Sequence, residues 1–475
     1  MIGPRRTLHL SLALNAVLGA VVWLVLWALA GDGQQLCNTS IYSIGFQSPQ
    51  KQESSSLSSP PGSATTEPSG RCDICASDIG QRLCTEYGAQ VVARTIAFNQ
   101  GNTRLKRVLA KWRARKPVRL GVLGGSNSAG QGVWADNQMT YSQLNMHTVL
   151  FNYLDSRFPQ PGGKVMERTG EADQNSLYQL ESTETYEFLV RYLLEKPSAP
   201  AVLEIQTFGY EFDKILTGGA SHLATNLYYN VPTIAPRTLF YDGAQGNVTK
   251  FWDWFYWYNP HEVPENLYGV DLRHFGPGGH RVSAELMMAY IEQQICEMDH
   301  AELVAGTSDI DKLYPEQPLQ SLSLLSTFSR SNSDAVMAPM APKCQSVDSD
   351  SHPLSPSSSE GWERWTWSND KGKTKTYLRA TKPGAKIVFD LGSVTGRVEI
   401  YYLRSKSFGL GNLRCKLGGR ENIIEGWWDK AENIGQSTRW RGLEPGSYKL
   451  ECELLSQTSD PGGGTEFRLM AIMSI

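Results

Sequence analysis

The stretch GVLGGSNSAGQG, residues 121–132, sets Ser126 at the end of a short apolar run and surrounds it with glycines. Glycine tolerates positive φ, so a strand running into such a turn can bend sharply and present a hydroxyl at the carboxyl edge of a sheet. A serine hydroxyl becomes a useful nucleophile only when a neighbouring base takes its proton. The candidate base lies far along the chain, in GVDLRHFGPGGHRVSAELMMAYI, where Asp271 and His274 stand three residues apart. Within one helical turn or a tight loop, that spacing brings both side chains to the same region. An aspartate there can hold the imidazole Nδ1–H and leave Nε2 free to accept the serine proton, which is the chemistry of acyl transfer through a covalent intermediate.

Other polar residues read differently. His280 opens a helix and is expected to cap or pack, while His147, His222 and His261 have no acid at useful spacing and are taken as structural. Glu204, inside an apolar strand, is expected to pair with a cation and is given no catalytic part. Neither GxGxxG nor GxxxxGK[ST] occurs, which disfavours nucleotide binding. A net charge of −3 gives no broad attraction to phosphate backbones, so nucleic acid is not an expected partner. The one basic stretch, RLKRVLAKWRARKPVR at 104–119, spaces Leu105, Val108, Leu109 and Trp112 at helical intervals and predicts a packed helix with a solvated cationic face.

The elements that must position Ser126 and His274 alternate along residues 72–300. Residues 118–123 and 201–208 read as buried strands, with another near 233–240, and 141–158, 184–195 and 223–229 read as helices. A last helix begins near Gly279 with Val282, Leu286, Ala289 and Tyr290 on its apolar face. Strands separated by helices predict an α/β domain built on a parallel sheet covered on both faces, with a site at the carboxyl ends of its strands. Residues 360–475 instead alternate polar and apolar residues between Gly and Pro turns, which predicts an antiparallel β-sandwich. Its tryptophans, Trp362, Trp365, Trp367, Trp427, Trp428 and Trp440, are expected to serve packing before sugar stacking.

At 475 residues, 40% hydrophobic and 20% charged, the chain has the composition of a multidomain globular protein. Residues 8–30 hold no Asp, Glu, Lys or Arg, are preceded by Arg5 and Arg6, and are long enough to cross a bilayer. Residues 1–31 therefore read as a cytoplasmic stub and signal anchor, with a cleaved signal peptide ending at Ala28-Leu29-Ala30 as the alternative. Either reading exports the rest to the secretory lumen or the cell exterior. The acceptor sequons at Asn38 and Asn247 agree with that compartment, as does reading the eight cysteines as disulfides, with Cys415 and Cys452 paired. Zinc at Cys72, Cys75 and Cys84 is disfavoured because no second Cys-x-x-Cys is present, and no metal or cofactor is expected. Residues 32–71, rich in Ser and Pro, read as a disordered stalk, and 301–359 as a low-complexity linker.

The segments LGVLGGSNSAGQG, AVLEIQTFG and DLRHFGPGGHRVSAEL together resemble the SGNH (GDSL-type) hydrolases, and HLATNLYYNVPTIAPRTLFY adds a likeness to their membrane-anchored eukaryotic, fungal-like members. The resemblance covers about residues 118–296. It implies a three-layer α/β/α domain that cleaves or transfers acyl esters, with Ser126 as nucleophile, His274 as base and then acid, and Asp271 as the orienting carboxylate. It also implies an oxyanion hole containing the Ser126 backbone N–H. Departures are visible: Gly125 stands where the family has Asp, and Ile205-Gln206-Thr207-Phe208-Gly209 replaces the block that supplies an Asn. Gly170, Asn175 and Gln206 are the remaining candidate donors. The expected activity is an esterase acting on acylated carbohydrate, O-acetyl groups on glycans above all. The alternatives are a glycan O-acyltransferase, an inactive scaffold of the same fold, and a stalked lectin.

Overall fold

The structure, a computed structural model, describes residues 72–475 except 101, 131, 134–142, 160–165, 169–179, 210–218, 245–253, 258–269, 325–326, 328–336, 338, 340, 351, 369–373, 394–395 and 431–432. The apolar run at 8–30, the stalk, and the sequons at Asn38 and Asn247 lie outside the described residues. Among the described residues no helix is long and apolar enough to cross a membrane.

The first body opens with helices α1 (Asp78–Tyr87) and α2 (Ala89–Ala93), strand β1 (Ile96–Phe98) and helix α3 (Thr103–Arg113). Next come β2 (Leu120–Val122), α4 (Ser126–Ala129), α5 (Met146–Arg157), β3 (Met166–Arg168), α6 (Leu180–Leu194) and β4 (Glu204–Ile205). It closes with α7 (Gly219–Tyr229), β5 (Thr233–Ile234), α8 (Arg237–Ala244), β6 (Phe255–Trp257), β7 (Val270–Phe275), α9 (Pro277–Ala305) and α10 (Ile310–Leu313).

Strands β2 and β3 pair in parallel, as do β4 and β5. Two pairings depart from an all-parallel expectation: β1 runs antiparallel to β5, and β6 antiparallel to β7. The strand expected near 233–240 stops at Ile234 because Pro236, with fixed φ and no N–H, precedes helix α8. The helix read over 141–158 starts only at Met146, and Leu144 before it is exposed.

Helix α9 is the spine of this body. Pro277 at its first turn and Gly306 in the left-handed region beyond its end delimit 29 helical residues, and Val282, Leu286, Ala289 and Tyr290 are all buried as their spacing predicts. Helix α3 packs on it through Leu105, Leu109 and Trp112. The cations of α3 meet acids of α9: Lys106 reaches Glu297 at 2.8 Å, and Arg113 pairs with Asp299 and Glu302. Disulfides Cys72–Cys296 and Cys75–Cys84 tie the start of the body to α9 and close α1 on the preceding turn.

The second body is a sandwich of two antiparallel sheets. Its strands are β8 (Lys343–Ser346), β9 (Ser358–Glu360), β10 (Trp362–Ser368), β11 (Thr374–Ala380), β12 (Lys386–Ser393) and β13 (Val398–Arg404), followed by β14 (Asn412–Leu417), β15 (Arg420–Glu425), β16 (Ile434–Trp440), β17 (Gly446–Leu454) and β18 (Phe467–Ser474). One sheet has the order β10-β11-β18-β13-β16 with β8 added beside β18; the other is β15-β14-β17-β12-β9. Ile387, Phe389, Ile400, Leu413, Leu450 and Phe467 fill the space between them, with the Cys415–Cys452 disulfide. Trp440 is buried, and Trp365 lies under the guanidinium groups of Arg379 and Arg468, at 4.2 and 4.7 Å from its ring centre.

The segment between the bodies is shorter than its composition suggests. Helix α9 continues past residue 300 to Ala305, and residues 319–324 lie against the first body. There Leu319 joins a cluster with Val190, Leu194, Tyr229 and Val231, Arg191 donates to the Gln320 carbonyl at 2.7 Å, and Tyr228 to that of Leu322 at 2.9 Å. Strand β8 already belongs to the sandwich, so that body begins before residue 360.

An ion cluster centred on the buried Arg397 also joins the two bodies. The Glu184 carboxylate on α6 receives Arg397 at 2.8 Å and Arg441 at 2.7 Å from the sandwich. Arg397, only 3% exposed, also pairs with Glu399 and lies over the Phe188 ring. A guanidinium so desolvated is tolerable only because carboxylates surround it.

Candidate active site

The turn that carries Ser126 is shaped by its neighbours' lack of side chains. A Cβ on Gly124 would fall 2.1 Å from Ser128 Oγ, so only glycine fits between β2 and α4. Helix α4 ends on Gly130 at φ +92°, a left-handed conformation that excludes most residues there. Asn145, fully buried, then secures the turn: its Nδ2 donates to the Ser128 carbonyl at 3.0 Å, and its Oδ1 caps α5 by accepting from His147 N at 2.9 Å. Ser126 is left half-buried at the start of α4.

His274 arrives from the other side on a distorted strand. In the β6–β7 ladder Phe255 faces Phe275 while the next residue, Tyr256, faces Asp271, so three residues of β7, Leu272 to His274, bulge out of register. Bulges re-aim side chains and free backbone groups from the ladder. Past the bulge the chain is anchored firmly. Phe275 is fully buried against Phe208 and Phe255, Gly276 N donates to the Trp254 carbonyl at 2.8 Å, and α9 begins at once. A Cβ on Gly279 would lie 2.5 Å from that same carbonyl, so the first turn of α9 packs closely on β6.

The outcome is a direct contact. Ser126 Oγ and His274 Nε2 are 2.8 Å apart, within hydrogen-bond reach, and both are half-buried. With Nδ1 carrying the ring proton, the serine hydroxyl donates to Nε2. The adjacent residues make a second contact, in which Phe275 N donates to Asn127 Oδ1 at 2.7 Å.

The remaining candidates fare unequally. Asp271 lies on β7, not in the helical turn or tight loop that its spacing suggested, because β6 extends this segment by pairing; its side chain lies outside the described residues. Side chains three apart on a regular strand point to opposite faces, but the bulge between Asp271 and Phe275 interrupts that alternation. Gly170 and Asn175 lie outside the described residues, as does His261. Gln206 is buried just beyond β4. Its Nε2 donates to Glu204 Oε2 at 3.0 Å, and its Oε1 accepts from Arg237 at 3.2 Å. The neighbouring Phe208 is buried among Phe240, Phe255 and Phe275.

Glu204 and His222, which were not expected to meet, form a pair: His222 Nδ1 is 2.7 Å from Glu204 Oε1. Asn226 donates to the second carboxylate oxygen, and Tyr186 stacks on the imidazole with ring centres 3.6 Å apart. Burial, with the Glu204 charge beside it, pushes the Tyr186 hydroxyl well above its ordinary pKa. The available sequence signal was Glu204 itself, because a glutamate in a buried strand must find partners. His280 is buried and accepts from Met146 N at 3.2 Å through Nδ1, a packing role as expected. Among the described residues no group of three or more His, Cys, Asp or Glu side chains is arranged to hold a metal ion.

No protein-family model matches the chain, and no curated protein matches it in sequence. Solved structures do. The crystal structure of a two-domain esterase (CEX) active on acetylated mannans superposes with a TM-score of 0.52 at 16% identity, over 81% of this chain and 98% of that one. The same esterase co-crystallised with mannopentaose superposes with a TM-score of 0.50 at 16% identity, over 81% and 97%. The contact between Ser126 and His274, and the sandwich that follows it, thus sit on a two-body fold shared with a solved carbohydrate esterase.

Proposed function

We propose that the chain is an SGNH-type serine esterase that removes acyl groups, O-acetyl groups in particular, from carbohydrate. The single observation that carries this reading is the 2.8 Å contact between Ser126 Oγ and His274 Nε2, in a fold like that of an esterase active on acetylated mannans. In this reading residues 72–300 form an α/β/α domain and residues 8–30 anchor it, with the site in the secretory lumen or outside the cell.

The geometry assigns the steps. As Ser126 Oγ attacks the ester carbonyl carbon, its proton passes to His274 Nε2, and Asp271 on the same strand steadies the imidazolium. The negative charge that develops on the carbonyl oxygen is met by backbone donors, the Ser126 N–H first, with Gly170, Asn175 or Gln206 completing the hole. The imidazolium then gives its proton to the sugar oxygen, the C–O bond breaks, and an acyl-serine remains. Water attacks that ester while His274 takes its proton, and the proton returns to Oγ as the carboxylic acid departs. A sugar hydroxyl in place of water makes the same cycle a transfer.

A second reading, an inactive scaffold, is favoured by Phe208, whose buried ring stands in the block where SGNH enzymes carry an oxyanion Asn. Release of acetate from an acetylated glucomannan and from an aryl acetate decides between the two. The esterase reading expects release by the wild type and its loss in Ser126→Ala and His274→Ala. A folded wild type that releases no acetate from either substrate supports the scaffold.

A further inference from the structure

We infer that Asn127 is a positioning residue that sets His274 against Ser126; this rests on the serine-esterase reading above. It follows directly on the candidate nucleophile in the chain, and its side chain makes a contact with the strand that bears the candidate base. Asn127 Oδ1 accepts the backbone N–H of Phe275 at 2.7 Å, beside the 2.8 Å contact of Ser126 Oγ with His274 Nε2. Two consecutive residues of α4 therefore grip two consecutive residues of β7, the partners standing 148 positions apart in each case.

The reason such a grip is needed lies in the bulge. Three extra residues, Leu272 to His274, take β7 out of register with β6, so the ladder does not fix the backbone that carries the imidazole. Just past the bulge it is Gly276 N, not Phe275 N, that donates to the Trp254 carbonyl, so the part-buried Phe275 amide needs an acceptor elsewhere or carries the cost of an unmade hydrogen bond. Asn127 supplies the acceptor from the element that bears the nucleophile, so the reference point for the base is the serine's own turn. A small displacement of the base carries a large cost in rate: about 1 Å of misplacement lowers turnover on the order of 100-fold.

The residue type fits the task. Helix α4 is flanked by Gly124 and Gly130 and is held on its last turn by Asn145, whose Nδ2 donates to the Ser128 carbonyl. An amide of this length, with Oδ1 facing β7, spans the gap. Alanine removes the acceptor, and aspartate keeps an oxygen at the same reach.

The test compares Asn127→Ala and Asn127→Asp with the wild type in three measurements: kcat and KM on an aryl acetate, thermal midpoint, and the 15N shifts of the His274 imidazole. The inference expects Asn127→Ala to lower kcat about 10- to 100-fold, with KM within about 2-fold and a thermal midpoint near wild type. The imidazole shifts should move as the Ser126 contact loosens, and Asn127→Asp should recover most of the lost kcat. Wild-type turnover and imidazole shifts in Asn127→Ala would overturn it. So would a fall in kcat that merely tracks a fall in thermal midpoint and is not recovered by Asp. A wild type without esterase activity refutes the enzymatic reading alone, because the imidazole shifts of Asn127→Ala then still decide whether Asn127 holds His274.

Discussion

Ser126 Oγ and His274 Nε2 stand 2.8 Å apart at the meeting of a four-residue helix and a bulged strand, and each is delivered by backbone that has little freedom to place it elsewhere. Ser126 follows a turn that admits only glycine at 124, and His274 precedes a phenylalanine sealed in the core. Several measurable consequences come from how these two segments are held.

Gly124→Ala should damage the turn. The added Cβ would lie 2.1 Å from Ser128 Oγ and 2.7 Å from Ser128 Cβ, and Ser128 is buried. Overpacking of this kind costs about 1–3 kcal/mol. Denaturant unfolding should show that loss, together with at least a 10-fold drop in ester turnover, an order expected from misplacing a nucleophile. Unchanged stability and turnover would mean that the turn has room the structure does not show.

Removing the Cys72–Cys296 disulfide by a double serine substitution should cost about 2–5 kcal/mol. The bond closes a span of 224 residues and ties the entrance of the first body to the helix that organises its core. Reduction of the wild type should lower the unfolding midpoint in the same direction, as chemical denaturation with and without a thiol reductant can show.

Arg397→Met should separate the two bodies. Glu184 and Glu399 would lose the buried guanidinium that links them, leaving carboxylates with fewer partners at a cost of about 3–5 kcal/mol. Calorimetry is expected to show one transition for the wild-type pair of bodies and two for the variant. A single transition in both would place the coupling elsewhere.

The Glu187 carboxyl should make stability fall as pH rises. Burial raises its pKa above the ordinary value near 4.5, against the opposing pull of hydrogen bonds from Leu324 N and Tyr229 and of the Arg191 charge. The folded state therefore binds this proton more tightly than the unfolded chain. Its stabilising effect is complete below the unfolded pKa and is lost as pH passes up through the folded one. Glu187→Gln, which still offers an oxygen to Leu324 N and Tyr229, should flatten that slope in unfolding measurements that start near the ordinary carboxyl range, at about pH 4, and run upward to neutral pH.

Much of this was legible in the chain. Glycines around Ser126, and His274 in the late segment before the last helix, marked the two stretches whose side chains meet, and the apolar spacing of Val282, Leu286 and Tyr290 marked helix α9. Cys415 and Cys452 were expected to pair, and they do. Alternation of side chains marked the sandwich strands because their two faces meet different environments. The rest depends on partners distant in sequence. The bulge in β7 arises from its register against β6, which no local pattern encodes. His222 finds Glu204 only when α7 packs over β4, and Arg397 finds Glu184 only when two bodies dock. Residues 319–324 look like linker because their main-chain groups are satisfied by Arg191, Tyr228 and Glu187, side chains that lie more than a hundred positions earlier or close to it.

The central claim is that Ser126 is a nucleophile activated by His274, and mass spectrometry after reaction with a fluorophosphonate tests it most directly. The account predicts a single adduct on the peptide containing Ser126, absent from Ser126→Ala and formed far more slowly in His274→Ala. A folded protein that takes up no adduct, or takes it up at another serine with Ser126 untouched, would contradict it.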